Sequence, residues 1–441
     1  MPVDHWMTFG SFAEQRYFAY PAPGAYKGVI INANMAAYAP DGMAAFLMER
    51  TGSLSYLIDP QTHAFQHEPS AVQNKDGEIK KSIRELAQHY GEPVASAAGV
   101  RPVLPEHFSP DMRSAFVDRV LGFQQTVLPT TMEGSEANEY LGHSVNDLQP
   151  YALLAPYFFL TETAIDEWLD VNRSLAVAAV AQKPPGARIF VPLVLSKGVL
   201  LSDSARPQLE DTFDGVPADG FVVWIDDLNE HEASEAVLYN LLTLAQALCS
   251  SGREVINLHG GYFSILAAGV LGSGAFSGVA HGPEFGEFRS VVPVGGGIPI
   301  AKYYMPPLHS RVRYRDALDM LRRKGWLSSA GIFHQSVCDC DTCIKVMAGN
   351  PEHFVRFGEA AARQVRRGNG FVRMEFPTSE AKERCLCHYL HRKQIEYQFA
   401  RTASEQQLLD NLERGVQDLR SIVGTAGVSH LQAWRTVLTT P

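Results

Sequence analysis

The chain has 441 residues, of which 46% are hydrophobic, 20% charged and 10% aromatic, the balance of a folded globular protein rather than a disordered, collagenous or coiled-coil one. The length allows two or three domains, or one large barrel with additions. Net charge is −10; no stretch approaches twenty uncharged apolar residues, and the N-terminus has neither a basic nor an apolar leader, so no membrane span and no signal peptide are expected, and the cytoplasm is the expected compartment.

Short apolar runs, each closed by a polar or glycine-containing turn, recur along the chain. Residues 28–35 are the first, 54–59 the second, and 93–103 a weaker third. Then come 157–162, 188–196, 220–226, 254–259 and 275–281. Their β-branched and aromatic content fits buried parallel strands. Amphipathic helical patterns lie between several of them. One starts at Thr163 and runs through Ile165, Trp168, Leu169 and Val171; another spans 232–249 and stops at Gly252. Eight strands alternating with helices predict an α/β fold, a (β/α)8 barrel. A doubly wound open sheet is the alternative. Residues 106–149 read as an inserted helix and loop. The barrel is expected over residues 1–310, and a mainly helical subdomain over 311–441.

Five of six cysteines lie between residues 338 and 387, a clustering that argues for metal rather than disulfides in a reducing compartment. Cys338, Cys340 and Cys343 put three thiols within six residues. A tight turn can aim three sulfurs at one Zn²⁺, and Cys385, Cys387, His388 and His391 offer the fourth ligand downstream. Four protein ligands would close the shell and make the metal structural.

A barrel followed by C-x-C-x-x-C and a downstream histidine resembles the tRNA-guanine transglycosylase superfamily. The resemblance implies a structural zinc subdomain near the C-terminus, with His388 as the fourth ligand and His391 in reserve. The gap from Cys343 to His388 is longer than the family's, and an insertion at 350–377 would account for it. The family's first catalytic aspartate follows the second strand in an Asp-Ser-Gly-Gly-Phe-Gln type motif. Here residues 58–66 keep Asp59 and the trailing Phe65-Gln66 without the glycines. The family's nucleophilic aspartate ends the last strand, where this chain has Ser277. Divergent relatives that act on DNA, installing deazaguanine bases or excising a modified base, look closer to this pattern than the tRNA enzymes do.

Breaking an N-glycosidic bond develops positive charge at the sugar C1′, which a carboxylate stabilises while a second group serves the departing base. In a barrel such groups sit at the C-terminal ends of strands. Asp59 qualifies, although Asp before Pro also forms turns. Asp226 and Asp227 follow five apolar residues and suit either an active-site rim or a helix cap. After 254–258, Gly260 and Gly261 let backbone approach a phosphate or a flat base. His281, Glu284 and Glu287 lie within seven residues, and either glutamate can replace the missing aspartate. The aromatic run at 157–159 with Glu162 offers stacking and an acceptor, or plain core.

Charge is uneven. Residues 311–401 carry 17 Lys or Arg against 10 Asp or Glu, and the remainder has a balance of −17. Arg311, Arg313 and Arg315 alternate, which on an extended segment aligns three guanidiniums for phosphates; Arg363, Arg366 and Arg367 would extend the track along a helix. The expectation is an enzyme cleaving the bond between base and sugar in nucleic acid, DNA favoured over tRNA, by excision or exchange. The alternatives are base exchange in tRNA, a metal-dependent hydrolase on the same barrel, and a non-catalytic nucleic-acid-binding relative.

Overall fold

The structure, a computed structural model, describes residues 2–20, 24–51, 55–132, 149–284, 286–292, 300–367 and 370–440. The chain divides into two compact units. One comprises Met1–Glu230 with Ala236–Pro293, the other His231–Glu235 with Val294–Pro441.

The first unit is built on eight strands: β1 (Asp4–Phe9), β2 (Gly28–Asn32), β3 (Ser55–Asp59), β4 (Leu153–Leu154), β5 (Ile189–Leu195), β6 (Gly220–Ile225), β7 (Glu254–Asn257) and β8 (Gly278–His281). Every ladder is parallel, in the order β3-β2-β1-β8-β7-β6-β5-β4. The first and last members approach each other where the Tyr151 N–H donates to the Tyr56 carbonyl at 2.8 Å. The result is the expected (β/α)8 barrel. Strands such as β5 and β6 read as unbroken apolar runs because both faces are covered; all seven residues of β5 are buried. The side chains that fill the interior follow the two-residue period of a strand, as with Phe190 and Val194 on β5, or Val222 and Trp224 on β6. Trp6 fills one layer between Gly28 and Gly278. A Cβ at Gly28 would run into the Trp6 ring and the Ser55 carbonyl, so only glycine fits there.

Two expected strands are not the ones the barrel uses. Residues 93–103 form a short helix, Val94–Ala97, and turns. Residues 157–162 are irregular, with Leu160 making one isolated bridge to Leu195. Asp4–Phe9 and Leu153–Leu154 take their places. One consequence is that Asp59 ends the third strand, not the second. Another concerns Ser277, which precedes β8 and bonds the Val255 backbone at the start of β7. It therefore lies at the N-terminal end of the barrel, and the position expected for a nucleophile at the end of the last strand belongs to His281. The expected insertion at 106–149 contains the helix Pro110–Met132; residues 133–148 lie outside the described residues.

The second unit begins earlier than expected, because β9 (Lys302–Met305) pairs with β10 (Ser310–Arg313) and belongs with it. Helices follow at Tyr314–Arg323, Ala330–Ser336, Asp341–Met347, Ser379–Thr402, Glu405–Gly427 and Ser429–Thr439. A second hairpin, β11 (Ala360–Arg367) and β12 (Gly370–Pro377), interrupts them. It falls on the insertion expected at 350–377. Arg363, Arg366 and Arg367 are thus on a strand rather than a helix, and Arg315 is in a helix rather than extended with Arg311 and Arg313.

Candidate functional sites

The C-terminal ends of parallel barrel strands all face one way, so residues just beyond them share one end of the barrel. Asp59 is the last residue of β3 and is 4% exposed. The Tyr157 hydroxyl donates to its Oδ1 at 2.8 Å, and the Gln61 N–H donates to the same oxygen at 3.1 Å. Gln61 reaches that position through a left-handed backbone conformation (φ +51°) after Pro60. Burial pushes the Asp59 carboxyl up, while Tyr157, Gln61 and the positive charge of Arg289 pull it down. Tyr157 is itself fixed: its N–H donates to Thr62 Oγ1 at 2.8 Å, and the Thr62 hydroxyl donates back to its carbonyl.

A series of rings leads away from this carboxyl through Tyr157. His63 stacks on Tyr157 with centroids 5.3 Å apart and meets Trp224 edge-on; Trp224 in turn meets His259 at 4.9 Å. Burial holds His63 well below the ordinary histidine range and His259 down to about 3, with Arg289 adding to both, so both rings are neutral. His63 Nδ1 is buried without a hydrogen-bond partner among the described residues.

Arg289 links the site. Half-buried in the loop after β8, it places its charge near Asp59, His63, Tyr157, His259 and Glu14. The end of β6 clamps its backbone. The Trp224 indole N–H and the Asp227 N–H both donate to the Arg289 carbonyl at 3.0 Å, and the Val291 N–H donates to Asp226 Oδ1 at 2.7 Å. Asp226, expected as a catalytic group, thus uses one oxygen to hold the loop. Asp227 is exposed and contributes its backbone.

Glu14 follows β1 and is 1% exposed. Its Oε2 accepts from the Gly10 N–H at 3.0 Å, and its Oε1 has no partner among the described residues. Burial and then the Glu284 charge, opposed by the Gly10 N–H, raise it to about 7. A second carboxyl pair lies beyond β6 and β8. Glu230 accepts from the Ser264 hydroxyl at 2.6 Å, and both Glu230 and Glu287 crowd the space over Gly261, where a Cβ would come within 2.7 Å of each. Burial, with the Glu287 charge, raises Glu230 to about 7. Gly260 lies under Val279 and Asn257.

The remaining expected residues sit elsewhere. Phe65 belongs to the packing around Tyr90. Glu162 is exposed and accepts from the Ser196 hydroxyl at 2.8 Å. His281 is fully buried with its Nε2 2.9 Å from that of His5. Arg311 and Arg313 are on β10 of the second unit, the former over the Tyr389 ring. Arg289 and Glu14 are not among the residues the sequence patterns point to. Arg289 is the one basic residue between His281 and Lys302, a signal that could have found it. Glu14 carries none, because the sequence of β1, Asp4–Phe9, has no apolar run to mark it as a strand.

In the second unit Cys338, Cys340, Cys343 and His388 are buried, with one ligand atom from each all within 4.8 Å of one another. The Cys340 sulfur caps the helix Asp341–Met347, accepting from the Cys343 N–H. His388 Nδ1 lies 3.6 Å from the Cys340 sulfur and 3.3 Å from that of Cys343. Tetrahedral zinc with ~2.3 Å bonds to sulfur sets neighbouring sulfurs about 3.8 Å apart, so the cluster fits such an ion. The other ring nitrogen bonds the Tyr304 carbonyl at 2.8 Å. A carbonyl can only accept, so Nε2 carries the proton and Nδ1 keeps the lone pair a metal needs. Tyr303 stacks on the imidazole at 4.3 Å. His391 is not part of this cluster, and Cys385 turns away to the Phe357 carbonyl.

No family model matches the chain, and no curated protein matches it. Among solved structures, xylanase B from Clostridium stercorarium F9 is similar over 66% of this chain and 86% of its own, with 10% identity and a TM-score of 0.32. At that level nothing about this chain's chemistry follows from it. Among the described residues, no helix is long and apolar enough to cross a membrane.

Proposed function

We propose that the protein is an enzyme that cleaves the N-glycosidic bond of a base in nucleic acid, with DNA favoured over tRNA and excision over exchange. The observation that carries this reading is the Asp59 carboxyl, buried at a strand's C-terminal end and held by Tyr157, from which a series of rings leads away. An oxocarbenium-like sugar needs an anion beneath it, and a flat base needs rings beside it. In this reading Asp59 acts as the carboxylate against C1′. Glu14, raised to about 7, carries a proton near neutral pH. It gives that proton to the base nitrogen as the C1′–N bond breaks and its electron pair leaves with the base. Water then bonds to C1′ and loses its proton to Asp59. Arg289 pairs with the flanking phosphate. The preference for DNA rests on the resemblance of the zinc motif and barrel to DNA-directed relatives of the tRNA-guanine transglycosylases.

The metal is Zn²⁺, held by Cys338, Cys340, Cys343 and His388. It supplies cross-linking of the second unit and no step of the reaction. Five of the six cysteines fall between residues 338 and 387, and a cluster of thiols kept for a metal suits a reducing compartment, so we place the protein in the cytoplasm. Mass spectrometry of DNA and tRNA incubated with the protein tests the reading. A base released from DNA supports it. Release or exchange confined to tRNA contradicts the choice of DNA, and an absence of both contradicts the enzyme.

A further inference from the structure

The β11–β12 hairpin belongs to the second unit and contributes none of the four residues of the metal cluster. Its residues 360–377 include four arginines against one glutamate. Cross-strand partners share a face, so the register sorts the side chains. Arg366 faces Phe371, Gln364 faces Arg373, and Ala362 faces Glu375 on one side; Val365 and Val372, Arg363 and Met374, and Ala361 and Phe376 occupy the other. The two sides differ in character. The second is mainly apolar, its Arg363 lying over the Phe376 ring, and Val365, Met374 and Phe376 are partly covered. The first is exposed along its length, and Phe371 is 70% exposed. Its single acid, Glu375, is met by Arg315 at 3.6 Å, which leaves Arg366 and Arg373 to set the sign of the field.

We infer that this exposed face is a nucleic-acid-reading arm that lies in the major groove of duplex DNA, with Arg366, Gln364 and Arg373 toward the bases and phosphates. The inference rests on the nucleic-acid reading above and adds a partner form and a contact surface to it. Three properties of the hairpin support the commitment. A two-stranded ribbon fits a B-form major groove about 12 Å wide, whereas the major groove of A-form RNA is too narrow to be read. Eight residues per strand make an arm about 26 Å long, enough to follow the groove for most of a turn. Arginine and glutamine are the side chains that pair two-pronged with guanine and adenine edges. Phe371, directly opposite Arg366, supplies an apolar contact for a thymine methyl.

The test is fluorescence anisotropy of the full chain with a 20-base-pair DNA duplex, the matching RNA duplex and the single DNA strand, across a salt series. The probes are Arg366→Ala/Arg373→Ala and the charge-keeping Arg366→Lys/Arg373→Lys. All four side-chain changes are at exposed positions, and an unchanged Tm checks that folding is intact. The expected result is duplex DNA bound more tightly than duplex RNA. The alanine pair should weaken duplex DNA binding at least tenfold and lower the slope of log affinity against log salt by about 2. The lysine pair should keep the slope and lose affinity for the DNA duplex, because lysine keeps the charge without the two-pronged fork. If wild type binds DNA and the alanine pair matches it in affinity and slope, the arm is overturned while the proposed function stands. Equal, arginine-dependent binding of RNA duplex overturns the major-groove commitment. Failure of the wild type to bind any of the three probes overturns both.

Discussion

Tyr157, three residues beyond one barrel strand, donates its hydroxyl at 2.8 Å to Asp59, the last residue of the neighbouring one. Burial pushes that carboxyl up. Tyr157, the Gln61 N–H and Arg289 work against it, so the hydrogen bond helps decide whether an anion is present where the sugar's charge would develop.

Removing this donor should move the acid side of the pH profile. Tyr157→Phe leaves Asp59 with one fewer group favouring its charged form, so the carboxyl rises further and the carboxylate fraction at a given pH falls. A hydrogen bond to a charged group is worth about 1.5–3 kcal/mol, which corresponds to a loss of roughly 10- to 150-fold in kcat/KM on the acid limb. Activity should recover as pH is raised. A profile of kcat/KM against pH with its acid limb unmoved would show that Tyr157 does not tune Asp59.

Glu14 should govern the opposite limb. As the acid with a carboxyl near 7, it is active while protonated, and the rate should fall as pH rises through that value. Glu14→Gln should remove that dependence and cost about 100-fold or more, with less loss for a base that departs without needing a proton. Retention of the alkaline limb in the variant would assign it to another group.

Glu230 makes a separate prediction about stability. Its carboxyl is raised from 4.5 to about 7, first by burial and also by the Glu287 charge. A folded-state value above the unfolded one means that the folded protein holds the proton more tightly. The corresponding stability is present below pH 4.5 and is lost as pH rises through 7. The loss is on the order of 3 kcal/mol. Glu230→Gln keeps the Ser264 partner and cannot ionise, so denaturant unfolding should show a smaller drop between pH 5 and 8 than in wild type. Parallel curves for the two proteins would mean that Glu230 is already ionised at low pH.

The sequence carried the architecture and the metal cluster further than it carried the barrel site. The apolar runs at 188–196 and 220–226 are long because β5 and β6 are covered on both faces, and such runs are readable. Asp4–Phe9 sets Asp4, His5 and Thr8 among Trp6, Met7 and Phe9, with neither a long apolar run nor strict alternation, and Leu153–Leu154 is two residues long, so neither announces a strand. The run at 157–159 is apolar because Tyr157 and Phe158 are buried, although its backbone is irregular; composition reports burial, not pairing. The thiols of Cys338, Cys340 and Cys343 are close in sequence and hence close in space. Asp59, Tyr157, Arg289 and Glu14 come from four different strand ends. Only the barrel's closure brings their neighbourhood together, which is why Arg289 and Glu14 stayed unseen.

The cysteine cluster should contain one zinc per chain by elemental analysis of protein purified without chelator. Cys340→Ser removes a ligand while leaving a hydroxyl able to cap the helix Asp341–Met347, so its effect reports the metal rather than the cap. It should lower the Tm by several degrees or reduce solubility, while activity per folded molecule stays near wild type, because the ion orders its own segment rather than reacting. Protein free of zinc with an unchanged Tm would remove the metal from the account.

Asp59→Asn isolates the charge proposed to face the sugar. The amide keeps the size of the side chain and an oxygen for Tyr157 while removing the charge. The measurement is alkali-labile strand breakage in DNA bearing a modified base, since an abasic site breaks in alkali and an exchanged base does not. Wild type should release free base and leave breaks; Asp59→Asn, with its Tm and DNA affinity unchanged, should leave almost none. Breaks at the wild-type rate in Asp59→Asn would contradict the assignment of the catalytic carboxyl, and labelled deazaguanine built into unbroken DNA by the wild type would replace excision with exchange.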